Sequence, residues 1–206
     1  MVPAFFKNKF TEIYNCFLGK ITDDMYMELT PVDTVKDLQN LLLCAIDGFE
    51  FPRVRLDEYT IDVQQKWEHD LSMDDFVIGY IWNEIEIDDL TDTPQSQMAI
   101  IDNSEFNATL THEEKNILAT LMMEGWLQRQ ITSIENIRMK YSGSDFKLTS
   151  QANHLSKLLN LLSEVQRQSH HLQRLYKRRR INKDSGMIES NWDILRFGTY
   201  SPKDAK

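Results

Sequence analysis

Two long amphipathic helical patterns fill the stretch from Thr111 to Arg180, joined by the short segment Tyr141-Ser142-Gly143-Ser144-Asp145-Phe146-Lys147. The first is Ile117, Leu118, Leu121, Met122, Gly125, Leu127, Ile131, Ile134 and Met139; the second is Leu155, Leu158, Leu159, Leu162, Val165, Leu172, Leu175 and Tyr176. Apolar residues at three-to-four spacing define one helix face each. Thr111-His112-Glu113-Glu114 is a capping box, in which the Thr hydroxyl and the Glu carboxylate each satisfy a free amide at the helix start. From there the first helix is expected to run to Lys140, about 45 Å at 1.5 Å per residue. The Ser142-Gly143-Ser144 break reverses the chain, and the second helix begins near Thr149 or Ser150. Such a pair predicts a long antiparallel hairpin.

The N-terminal third reads as a helical pair. Phe6, Phe10, Ile13, Tyr14, Phe17 and Leu18 place one helix over residues 3–18, with Gly19 as its stop. Val35, Leu38, Leu41, Leu42, Ala45 and Ile46 place another from Asp33 or Thr34 to Gly48. Phe51 precedes Pro52 and is biased towards extended backbone.

Residues 53–110 change character. Phe76-Val77-Ile78-Gly79-Tyr80-Ile81-Trp82 and Met98-Ala99-Ile100-Ile101 read as strands. Ile85 and Ile87 alternate with Glu84, Glu86 and Asp88 as in a half-exposed strand. Residues 62–70 read as a helical turn or loop around Trp67. The expected fold is mainly α: a helical bundle with a long hairpin, a small β-rich insertion of two to four strands, and an extended C-terminal arm. Its divisions are residues 1–52, 53–110, 111–181 and 182–206.

With seven glycines and five prolines in 206 residues, an all-β or nucleotide-binding α/β enzyme is disfavoured. The formal net charge is −9, which opposes a whole-protein attraction to nucleic acid. The charge is uneven. From Asp57 to Glu114 there are sixteen acidic residues and one basic residue, Lys66. From Arg174 to Lys183 there are six basic residues and no acidic one. This run has three readings: a contact to phosphates, a cationic helix end complementing the macrodipole, or a partner for the acidic stretch of an adjacent subunit.

Little else resembles a site. His170 and His171 are adjacent and diverge by about 100° on a helix, unlike an i, i+4 metal pair. Asp74-Asp75, Asp88-Asp89 and Glu113-Glu114 lack the spacing of a calcium loop. No phosphate-binding glycine motif is present. Cys16 and Cys44 sit in apolar patterns and read as buried free thiols in a reducing compartment. The Asn107-Ala108-Thr109 sequon is read as fortuitous. The N-terminus lacks the apolar region of a signal peptide, and no apolar run is long enough to span a membrane. No catalytic residue, metal or cofactor is expected.

Three segments carry a resemblance: Phe10 to Tyr26, Met139 to His154, and His171 to Arg180. Together they resemble virion proteins encoded in the structural gene blocks of gut tailed bacteriophages, including crAss-like phages. The layout is similar to that of head–tail connector (adaptor) proteins, which form a dodecameric ring beneath the portal. The resemblance implies a neck ring between portal and tail, assembled in the host bacterial cytoplasm. Its implied partners are copies of itself, the portal protein, an adjacent neck or tail protein, and genomic DNA that passes through without sequence-specific binding. No membrane is implied. On that reading Arg174, Lys177, Arg178, Arg179, Arg180, Trp192 and Phe197 make portal or subunit contacts. Glu84, Glu86, Asp88 and Asp89 form an acidic lumen surface that repels duplex phosphates and lets DNA slide. The alternative is a DNA-packaging or regulatory protein resembling a small terminase subunit.

Overall fold

The computed structural model of the chain describes residues 8–21, 26, 29–73, 75–81, 98–140, 149–181 and 188–190. It is mainly α. Four helices dominate the described residues: α1 (Phe10–Leu18), α2 (Pro31–Asp47), α3 (His112–Lys140) and α4 (Thr149–Arg178). Seven short strands accompany them: β1 (Tyr59–Thr60), β2 (Val63–Trp67), β3 (Val77–Ile81), β4 (Met98–Asp102), β5 (Glu105–Phe106), β6 (Arg179–Ile181) and β7 (Ile188–Ser190).

Helix α3 is central, because α1, α2 and α4 all pack on it. This corrects the expectation of a one-sided stripe. In its first half Glu114, Ile117, Leu118, Ala119, Thr120, Met122, Trp126 and Leu127 are all buried, which places covered residues on every side. Its start is as expected: the Thr111 amide donates to Glu114 Oε2 at 2.6 Å, and the Glu114 amide donates to Thr111 Oγ1 at 3.3 Å.

Helix α1 begins at Phe10, not near residue 3. Asn8 and Lys9 are extended and pair with β5 instead: the Phe106 amide donates to the Asn8 carbonyl at 3.0 Å and the Phe10 amide to the Ser104 carbonyl at 2.9 Å. Those bonds take up backbone groups that a longer helix would have used. They also bring Phe10 against Phe106, with ring centroids 4.6 Å apart, at the middle of the core. Helix α2 starts at Pro31, two to three residues before the predicted position. Thr30 caps it by accepting the Asp33 amide at 3.2 Å, and a proline in the first helical turn gives up no needed donor.

The insertion holds five strands among the described residues, more than the two to four expected. Strands β2, β4 and β3 form one antiparallel sheet in that order, and β1 pairs with β5. The segment read as a turn around Trp67 is β2, with only Glu68–Asp70 as a 3-10 turn. Strand β4 explains the difference. It is central and covered on both faces, so its ladder groups draw in the polar Val63-Gln64-Gln65-Lys66-Trp67 as an edge strand. Tertiary pairing overrides local preference here. At Gly79 of β3 an added Cβ would lie 2.8 Å from Pro31 Cγ, so glycine lets the first turn of α2 press on the sheet.

The thiols also differ from expectation. Cys16 is half-buried and Cys44 is exposed. The predicted strand around Ile85 and Ile87 and the predicted break at 142–144 lie outside the described residues, as does the 182–206 arm except for Ile188–Ser190. Among the described residues no helix is long and apolar enough to cross a membrane.

Candidate functional site

Leu155, Leu162, Val165, Ser169, Gln173 and Tyr176 are the buried face of α4. Their three-to-four spacing seats the helix on α3 and leaves the rest of its circumference open. The Gln166 amide donates to Glu124 Oε1 at 3.1 Å. Further along, Gln173 Oε1 accepts the Glu50 amide at 2.9 Å, which ties α4 to the loop after α2.

The C-terminal end of α4 closes a clasp. The Tyr176 hydroxyl donates to Glu114 Oε1 and accepts the Arg53 amide at 3.1 Å. The Arg53 guanidinium lies over the Tyr176 ring at 4.1 Å and donates to the Tyr176 carbonyl at 2.6 Å and to the Arg179 carbonyl. Phe49 meets the same ring edge-on at 5.4 Å. Burial, followed by the bond to Glu114, pushes the Tyr176 phenol well above its ordinary range, so it stays protonated and remains a donor. Arg179 then pairs with Glu113 at 3.0 Å. Carbonyls at a helix end lack intrahelical partners, and Arg53 satisfies two of them.

The basic run is therefore divided. Lys177 Nζ sits 3.7 Å over the Phe51 ring. Arg179 is held by Glu113, and Arg180 lies in β6 opposite Glu189 of β7. Arg174 and Arg178 are exposed on α4. The other proposed contacts, Trp192 and Phe197, and the acidic set Glu84, Glu86, Asp88 and Asp89 lie outside the described residues.

Two shallow clefts flank α4. One, of about 310 Å³, lies between α2, α3 and α4 and is rimmed by Cys44, Glu50, Glu124, Gln128 and His170. The other, of about 240 Å³, is lined by Arg167, His170, His171 and Arg174 alone. The His170 Nδ1 atom is 4.0 Å from Glu50. Among the described residues no group of three His, Cys, Asp or Glu side chains is placed to hold a metal ion.

A second polar cluster joins the sheet to the helices. The Asp102 carboxylate has no exposed surface; it accepts the Ser104 amide at 2.9 Å and the Gln39 amide at 3.3 Å. Burial first, and the neighbouring Asp102 charge second, push the Tyr14 phenol strongly up, although its hydroxyl closes no hydrogen bond of normal geometry. Nearby, Lys66 Nζ pairs with Asp75 at 2.8 Å, and Asn103 donates to Asp75 at 3.0 Å. Lys66, then the Ser72 amide and Asn103, hold the Asp75 carboxyl well below the usual carboxylate range. With Asp102 and Ser104 closed to solvent, this cluster fixes the turn between β4 and β5.

Arg53 and the clasp were not visible in the sequence, because Arg53 and Tyr176 are 123 positions apart. The Arg167, His170, His171, Arg174 spacing is local to one helix and legible in the sequence. No family model, curated protein or solved structure matches this chain.

Proposed function

We propose that this chain is a structural subunit of a tailed-phage neck, forming a ring between portal and tail that serves as a DNA conduit and docking surface. The observation that carries the reading is α4: thirty residues long, buried along one face and open over the rest, with its C-terminal end clamped to α3 by the Tyr176–Glu114 bond. A rigid helix that exposes Leu159 and Leu161 is suited to packing that part of its flank beside a copy of itself, and a head-to-tail contact of this kind makes a ring when the rotation between copies closes. In this reading α3 and α4 are the long antiparallel hairpin of a helical bundle. Tyr176 meeting Glu114 and Gln166 meeting Glu124 support that direction, since numbers fall on one helix as they rise on the other. The chain after Arg179 leaves from a fixed point, which suits an arm that reaches the portal or the next subunit through Trp192 and Phe197.

No catalytic role is proposed. The test is co-assembly: the purified chain is mixed with the portal protein of the same particle and sized by mass photometry. A discrete multimeric complex supports the reading. Absence of any complex, with portal rings intact, contradicts it. A second reading, a packaging or regulatory nucleic-acid-binding protein, is favoured only by the cationic cleft on α4.

A further inference from the structure

The outer face of α4 carries Arg167, His170, His171 and Arg174 around one cleft. Their spacing of three, four and seven residues keeps them on one side of the helix. Arg167 and Arg174 are about 20° apart around the axis and about 10 Å apart along it. Arg178 continues the same side one turn later, as the last residue of the helix.

From this arrangement we infer that the stripe is a nucleic-acid backbone contact, taking phosphates without reading sequence. The inference deepens the ring reading and rests on it for which polymer is met, the genome in transit. Guanidinium groups bind phosphate through paired donors, and imidazoles add further N–H donors. The chemistry favours a polyphosphate over an acidic protein. In the stretch 167–174 the outward residues Arg167, Gln168, His170, His171 and Arg174 are all polar, and the exposed Leu159 and Leu161 lie earlier on the helix, whereas a protein interface centres on aromatic or apolar anchors. Two carboxylates face the stripe. Glu164 accepts from Arg167 Nε at 3.0 Å and from its Nη2 at 2.5 Å, and Glu50 lies 4.0 Å from His170. The Arg167 and Glu164 side chains are 76% and 57% exposed, so solvent and salt screen this two-bond pair and a phosphate can compete for the guanidinium. Contact of this kind grips the backbone without fixing register, which suits a strand that must slide.

The test is fluorescence anisotropy on the full chain with a labelled random duplex of about 30 base pairs, from about 50 to about 200 mM salt. Binding is expected with Kd in the non-specific range of about 10⁻⁶ to 10⁻⁴ M near physiological salt, and tighter at the low-salt end. The double variant Arg167→Gln/Arg174→Gln should flatten the log–log salt slope by about 1.8 and weaken low-salt binding by at least about tenfold. The charge-matched control Lys36→Gln/Arg55→Gln, with both side chains exposed and neither on α4, should leave the slope unchanged. Equal effects of the two double variants overturn the proposal, as does an absence of duplex binding at low salt. So does displacement of duplex by polyglutamate at equal charge concentration, which would assign the stripe to an acidic protein. Failure here leaves the portal assembly result untouched, and failure of that assembly leaves this slope untouched.

Discussion

The Tyr176 hydroxyl, at the end of α4, donates to the carboxylate of Glu114, whose other oxygen caps the start of α3. One side chain thereby closes two helix ends. Replacing Tyr176 by Phe leaves the buried Glu114 Oε1 without this partner and removes the acceptor of the part-buried Arg53 amide. The expected cost is about 1–3 kcal/mol, the usual penalty for a buried polar group stripped of its bond. Urea denaturation of the parent chain and the variant at matched slope measures it. An unchanged midpoint would show that the clasp does not contribute.

Gly79 is a contact between the sheet and α2. Gly79→Ala should destabilise by about 1–3 kcal/mol, because the new methyl group meets the Pro31 ring. Pro31→Ala should relieve much of that loss in the double variant. Strong non-additivity in a thermal-denaturation cycle is the expected sign of a direct contact. Simple addition would place the strain elsewhere.

The Lys66–Asp75 pair sets an acid limit. The Asp75 carboxyl is depressed in the folded chain, so its contribution is present above the unfolded carboxylate value of about 3.9 and is lost as the pH falls below it. Lys66→Met removes the chief cause of the depression. Acid unfolding followed by circular dichroism should then begin at higher pH in the variant. Coincident acid transitions would contradict the pairing.

The two thiols should react at different rates in the native chain. Cys44 is exposed and Cys16 is half-buried in the core against α3. A thiol-specific chromogenic reagent should give a fast and a slow phase, and Cys44→Ser should remove the fast one. Loss of the slow phase instead would reverse the assignment.

What could be read beforehand follows the range of each interaction. The α3 capping box and the α4 start at Thr149 depend on neighbours within a turn, and both sit where the sequence placed them. The start of α1 did not, because the Asn8 and Phe10 backbones pair with a strand almost a hundred residues away. Strand β2 was missed for a similar reason: Gln64, Gln65 and Lys66 have no strand pattern of their own and are recruited by β4. Cys44 follows the apolar rhythm of α2, yet it falls at the rim of the cleft where α2, α3 and α4 diverge. The clasp joins Arg53, Glu114 and Tyr176 from three separate segments, and no local spacing announces it. The cationic stripe is different. Its three-and-four spacing was legible, but the two adjacent histidines drew the question of metal instead of the Arg167 and Arg174 positions beside them.

The neck reading is tested most directly by cryo-electron microscopy of the purified particle, with this chain fitted into the density beneath the portal. The account predicts a ring of copies at that level, with α4 exposed faces at subunit contacts or lining the passage. A mature particle with no copy of the chain in its neck would contradict it.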